Sequence, residues 1–366
     1  MFFYGIVCEF NPFHDGHRYL IEKTREMTGV DAIVCVMSGS MVQRGDVAIF
    51  DKWQRSAEAV KNGADLVIEL PVSCVLQSAD NFAEGAVSIL NSLGASGISF
   101  GCECDELPLL TEIAKIGVEE PDGYKAAMMS ALESGKGYPA ACEEAVRACL
   151  PDADKNAFLP NSTLAVSYIK AAMRLGSSIK FNAVKRIGDY HSTDMNVEYP
   201  SASAIRESIL NGANNSAQFY DISRIAPLIL GFFRLAHEED LNSICSMEPG
   251  LAKRMINAAR EASSLDEFVE KCVTKRYTAH RIRRAMLCAL LGISEYRTPQ
   301  YARVLALGER GAQILKQAKK DFEIITKIQK NSISDMLKKD ILATDIAALC
   351  CNKKAGADFK TTPFVL

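Results

Sequence analysis

The chain holds one tryptophan and five histidines in 366 residues, so two histidines close together carry information. No apolar run reaches the roughly 20 residues that a membrane-spanning helix needs. No basic segment precedes the first apolar run, which therefore reads as a strand and not as a signal peptide, and a cytoplasmic protein with no membrane contact is expected. The twelve cysteines lack metal-ligand spacing: there is no C-x2-C with a partner pair, and only Cys102/Cys104 and Cys350/Cys351 lie close together. That excludes a cysteine-built metal centre and favours reduced, buried thiols. Charge of one sign is scarce in two stretches. Residues 1–150 hold 11 Lys+Arg against 22 Asp+Glu, and residues 271–320 hold 12 Lys+Arg against only Glu295 and Glu309.

What remains is ordinary for a globular protein, at 48% hydrophobic and 24% charged residues. The length exceeds what one core usually serves, so two domains are expected: an α/β unit over 1–215 with a helical insertion at 105–160, and an all-helical, basic unit over 216–366. Strands are expected at 2–9, 31–37, 65–71, 97–101 and 179–185, separated by helical stretches, and nearly unbroken apolar runs such as 31–37 are typical of parallel strands buried on both faces.

Between the first strand and the helix expected over 14–28 lies Asn11-Pro12-Phe13-His14-Asp15-Gly16-His17. Two histidines three residues apart at a helix start share one face, and the free amides of that first turn attract an anion. Gly16 is expected to let a ligand approach the backbone. Arg44, in the loop after the second strand, and Lys52 are candidates to neutralise a phosphate or a small carboxylate, since ligands of open α/β sheets bind along this edge. Gly101 ends the fourth strand on the same edge. Asn161 or Ser162 reads as the N-cap of a helix running to 174. A second anion-binding helix start follows the strand at 179–185. Ser201 and Ser203 supply hydroxyls there, and Arg206 offsets charge on a leaving pyrophosphate. In the basic stretch, Tyr277, His280, Tyr296 and Tyr301 interleave with cations, which suits RNA.

Taken together, several segments resemble the tRNA(Met) cytidine acetate ligases of the HxGH nucleotidyltransferase superfamily. They are the run from Gly5 to His17, Met37-Ser38-Gly39 with Gln43-Arg44-Gly45, and Gly63 to Pro71. Leu159-Pro160-Asn161-Ser162, Val184 to Gly188, Ser201 to Arg206, and Lys275-Arg276-Tyr277-Thr278 with Arg281-Ile282-Arg283-Arg284 continue it. The likeness runs end to end, with Cys8 and Phe10 as minor departures beside the loop.

The resemblance implies a Rossmann-like parallel sheet and an enzyme that forms acetyl-adenylate from acetate and ATP with Mg²⁺. The acetyl group would pass to N4 of the wobble cytidine of elongator tRNA(Met). It implies ATP contacts at Val7, Cys8, Glu9, Phe10, Asn11, Pro12, Phe13, His14, Asp15, Gly16, His17, Arg18, Tyr19 and Leu20. Gly101, Asn161, Arg186 and Ile187 complete that implied set, to which the helix start adds Ser201 and Ser203. His14, His17 and Arg206 are the catalytic candidates, and Lys275, Arg276, Arg281, Arg283 and Arg284 the tRNA-binding candidates. Residue physics alone leaves two alternatives open: a nucleotidyltransferase of small-molecule metabolism, and a non-catalytic RNA-binding protein on a relic nucleotide fold.

Overall fold

The apolar runs assemble into one sheet. The computed structural model describes residues 1–186, 201–212, 218–318, 320, 322–329 and 333–366. Its strands are β1 (Phe3–Cys8), β2 (Ala32–Ser38), β3 (Met41–Val42), β4 (Asp46–Val47), β5 (Leu66–Leu70), β6 (Gly97–Cys102), β7 (Lys180–Lys185), β8 (Tyr301–Leu307), β9 (Glu323–Ile325) and β10 (Phe364–Val365). The main sheet has the order β10-β8-β5-β2-β1-β6-β7, with β9 beside β8, while β3 and β4 form a separate hairpin.

β1, β2, β5, β6 and β7 run parallel. The inner strands are continuously apolar, every residue of β2 being buried, whereas β7 at the edge carries Lys180, Asn182 and Lys185 and is mostly half-exposed. Alternation sends Val34 and Val36 into one core with Leu90 and Tyr168, and Ile33, Cys35 and Met37 into another with Ile21 and Val60. Helices therefore cover both faces. The chain places β2 and β5 on one side of β1 and β6 and β7 on the other. This order creates a topological switch point at the carboxyl ends of β1 and β6, where open α/β sheets bind ligands.

The crossover from β6 to β7 contains the expected insertion, with helices Leu107–Glu119, Asp122–Glu133 and Tyr138–Cys149, and then the helix Pro160–Arg174. Its N-terminus differs from expectation. Leu159 is the N-cap and makes no side-chain cap bond. Glu103 takes over: its carboxylate accepts from the Ser162 amide at 2.8 Å and from Asn161 Nδ2 at 2.5 Å. Asn161 and Ser162 are thus held by a carboxylate from the β6 edge, which suits the positive end of a helix.

The expectation of an all-helical 216–366 is corrected. Helices from Ala226–Leu235 to Ala279–Leu291 build a core of their own, but the chain then returns to the sheet. β8 pairs antiparallel with β5, and β10 pairs parallel with β8. A buried ionic cluster fastens this return. Lys52 lies 2.7 Å from Glu69 and 2.8 Å from Asp358, and Arg303 of β8 lies 2.6 Å from Asp358. The strand YARVLAL was masked in sequence by its position in a basic, helix-rich stretch.

Candidate active site

His14 is the N-cap of the helix Asp15–Thr28, at φ −149° and ψ 172°. Its Nδ1 accepts from the Gly16 amide at 3.1 Å, while His17 Nδ1 accepts from the His14 amide at 3.2 Å. This is a capping box in which imidazoles replace the usual hydroxyl and carboxylate. Because each Nδ1 is an acceptor, each neutral ring carries its proton on Nε2. The helix start thus fixes two N–H donors in one tautomer.

The electrostatics agree. Burial, with Arg186 adding to it, pushes the His14 pKa down to about 4. Burial, the neighbouring His14 and Arg186 hold His17 well below the ordinary histidine range. Phe10 and Phe13 pack against the His17 ring at centroid distances of 4.9 and 5.6 Å, and the two imidazoles lie 3.8 Å apart. Gly16 has a more local reason than ligand approach: a Cβ there would lie 2.9 Å from His14 Cε1. The helix is anchored from behind by buried Thr24, whose hydroxyl donates to Ser99 Oγ of β6 at 2.8 Å.

The second helix start faces the first. Ser201 caps the helix Ala202–Leu210 by accepting from the Ala204 amide at 3.1 Å. Arg206 donates to the Asn11 carbonyl oxygen at 2.7 Å and to Ser203 Oγ at 3.0 Å. Asn11 itself accepts from the Ile49 amide at 2.8 Å. Between the two helix starts lies a cavity of about 340 Å³, within the range of small-molecule and cofactor sites.

Of the residues singled out in the sequence, Val7, Cys8, Glu9, Phe10, Asn11, His14, Gly16, His17, Tyr19 and Leu20 line this cavity. So do Arg44, Gly101, Asn161, Arg186, Ser201, Ser203 and Arg206. Others do not. Phe13 supports His17 from the side, and Pro12 lies off the lining. Asp15 and Arg18 pair with each other at 2.9 Å with half-exposed side chains. Lys52 is corrected outright: it is fully buried in the ionic cluster with Glu69 and Asp358 and contributes nothing to the lining. Its helical neighbours gave no sign that two carboxylates would meet it. Ile187 lies outside the described residues.

Several contributors were not singled out in the sequence. Phe82, Phe100 and Tyr168 line the cavity without having been singled out as site residues, and Gln43, quoted only as part of the Gln43-Arg44-Gly45 segment, lines it too. Arg55 is 1% exposed; it donates to the carbonyl oxygens of Glu9, Ser38, Gly39 and Phe50 and so clamps the ends of β1 and β2. Only its arginine identity inside an apolar helix face hinted at such a role.

The basic segment is partly committed to protein contacts. Arg281 pairs with Glu248, Arg283 with Asp266 at 2.7 Å, and Arg284 donates to the Gln43 carbonyl oxygen at 3.3 Å. Lys275 and Arg276 are exposed, although Arg276 also lies 3.1 Å from Glu248. Tyr277 and Tyr301, two of the aromatics interleaved with the cations, are buried and cannot stack on RNA bases. The Tyr277 hydroxyl donates to Glu248 at 3.0 Å and the Tyr301 hydroxyl to Asp340 at 2.6 Å.

Chemically, the cavity offers neutral imidazole N–H donors on one wall and a guanidinium on the other. Among the described residues no group of three or more His, Cys, Asp or Glu could hold a metal ion. The arrangement suits an extended polyphosphate.

Comparison with known proteins gives the same answer. The family described as HIGH Nucleotidyl Transferase matches residues 1–361. The chain is 35% identical to the tRNA(Met) cytidine acetate ligase of Acetivibrio thermocellus and 37% identical to that of a Thermoanaerobacter species, with 97% of each chain covered in both cases. The fold superposes on a crystal structure of apo Thermotoga maritima TmcAL with a TM-score of 0.91 at 28% identity. It superposes on the same protein bound with alpha-thio ATP with a TM-score of 0.89 at 29% identity, and both matches cover the whole of each chain. By motif, fold and likeness over its full length, the chain belongs to the HIGH nucleotidyl transferases and, within them, to the tRNA(Met) cytidine acetate ligases.

Proposed function

We propose that this enzyme activates acetate with ATP to give acetyl-adenylate and pyrophosphate, and then acetylates N4 of the wobble cytidine (C34) of elongator tRNA(Met). The observation that carries the reading is the pair of helix starts facing one cavity, with His14 and His17 on one side and Arg206 on the other. The relatives' names and the nucleotide bound by the Thermotoga protein support it.

An acetate oxygen attacks the α-phosphorus, forming one P–O bond as the bond to the bridging oxygen of pyrophosphate breaks. The Nε2–H groups of His14 and His17 donate to phosphate oxygens, and Arg206 offsets the charge on the departing pyrophosphate. Mg²⁺ bound to the triphosphate would supply charge neutralisation at the phosphate oxygens, with Arg206 beside it. Phe82, Phe100, Leu164 and Tyr168 on the lining exclude water from the mixed anhydride. The cytidine amine then attacks the acetyl carbonyl, the C–O bond to AMP breaks, and one proton leaves the nitrogen.

Arg44 sits where it can face acetate or a phosphate. Lys275, Arg276, Arg281, Arg283 and Arg284 form the RNA-facing segment, with Lys275 and Arg276 outermost. Among the described residues no helix is long and apolar enough to cross a membrane, and we place the enzyme in the cytoplasm with its tRNA.

Incubation with ATP, labelled acetate and bacterial tRNA tests the proposal. Label must enter elongator tRNA(Met) as N4-acetylcytidine. Adenylate formation without any label in RNA would favour a small-molecule nucleotidyltransferase, and RNA binding without adenylate a non-catalytic protein.

A further inference from the structure

The hairpin over 41–47 belongs to two parts of the molecule at once. On one side Gln43 and Arg44 line the cavity, and the Gln43 amide donates to the carboxylate of Glu9, itself a lining residue, at 2.7 Å. On the other side the hairpin is seated on the basic helix Ala279–Leu291. Arg284 Nη1 donates to the Gln43 carbonyl oxygen at 3.3 Å, and the His280 imidazole is within hydrogen-bonding reach of the Arg44 backbone. Gly45, at φ +80°, approaches so closely that a Cβ there would lie 2.5 Å from the Arg284 nitrogen and 2.6 Å from the Arg283 carbonyl carbon. The hydrophobic packing follows the same division: Met41 and Val47 are buried in the core of the C-terminal helices and not in the core of the sheet. The hairpin therefore bridges the two, packed into the helical core through Met41 and Val47 and bonded to the cavity wall through Gln43 and Glu9.

We propose that this hairpin couples the two substrates, with Arg284 as a positioning residue that acts through Gln43 and Arg44. RNA seated along 275–284 holds the hairpin over the adenylate, and a bound adenylate holds the basic helix in the arrangement that RNA prefers. The inference rests on the reading of the cavity as an acetyl-adenylate site beside an RNA surface. Coupling of this kind is reciprocal: each ligand must tighten the other by the same factor.

The test uses the full chain, a tRNA(Met) transcript and a non-hydrolysable acetyl-sulfamoyl analogue of acetyl-adenylate. Calorimetry gives the Kd of the analogue with and without saturating tRNA, and the Kd of tRNA with and without saturating analogue. In the wild type both ratios should equal one another at about fivefold or more, the usual lower range of such coupling. Gly45→Ala, which forces the hairpin off the helix, and Arg284→Met, which releases Gln43, should each bring the ratio to about one. Arg284→Lys should retain part of it. The ratio is blind to simple loss of an RNA contact, which weakens tRNA equally with and without the analogue, and a cooperative thermal transition shows that the variants fold. A wild-type ratio of one with tRNA bound overturns this inference alone, as does an undiminished ratio in both Gly45→Ala and Arg284→Met. Failure of tRNA to bind overturns the functional reading and this inference with it.

Discussion

Arg206 donates to the carbonyl oxygen of Asn11 at 2.7 Å, so one guanidinium ties the second helix start to the turn that opens the first. Its other bond, to Ser203 Oγ at 3.0 Å, keeps the fork turned toward the cavity. A planar guanidinium can hold two such partners and still face an anion, whereas an ammonium is a point charge. Arg206→Ala should therefore lower acetate-dependent ATP–pyrophosphate exchange by about 10²–10³. Arg206→Lys should recover little of it. Exchange near the wild-type rate in the lysine variant would show that charge alone suffices and that the link to Asn11 is incidental.

The reciprocal capping of His14 and His17 makes a second expectation. His17→Ala removes an N–H donor and a cap acceptor together, and exchange should again fall by about 10²–10³. Titration gives an independent check on His14. Its folded pKa is about 4, below the ordinary 6.5, so between those values the unfolded chain binds more protons than the folded one. This contribution to stability grows as pH rises from about 4 to about 6.5 and is fully present above that window. The difference in Tm between wild type and His14→Asn should follow the same slope and flatten above pH 6.5. A difference that stays constant over that range would mean that His14 is not held neutral by burial.

Lys52 belongs to stability. It is fully buried and paired with Glu69 and Asp358, and Lys52→Met would leave those carboxylates to Arg303 alone. Removing one partner of a buried ion pair costs about 3–5 kcal/mol, which denaturant unfolding should reveal. The KM for acetate of the folded variant should stay at the wild-type value. A large rise in that KM with unchanged stability would return Lys52 to the site.

The outer cations should act on RNA alone. Lys275→Ala and Arg276→Ala should weaken tRNA binding, each reducing the slope of log K against log salt by about one if its side chain contacts a phosphate. Exchange measured without tRNA should remain intact, because neither residue borders the cavity. Equal losses in both assays would assign these residues to folding.

The sequence by itself determined much of what neighbours a few residues apart govern. A short, β-branched apolar stretch such as Ala32–Ser38, bounded by glycines, reads as a buried strand, and a His-x-Gly-His turn between strand and helix presents two imidazoles on one face. The helix starts at His14 and Ser201 follow from capping chemistry, and the basic C-terminal stretch follows from counting.

Tertiary structure decided what depends on residues far apart in the chain. Whether Lys52 meets a ligand or Asp358 is settled by where the C-terminal segment that carries Asp358 returns. Tyr301–Leu307 becomes a strand because β5 offers it an open edge. Glu103 caps a helix whose own first turn had looked sufficient. A charged or polar side chain takes its role from the groups that face it, and those are assembled only when the sheet, its crossovers and the helical unit close around the cavity.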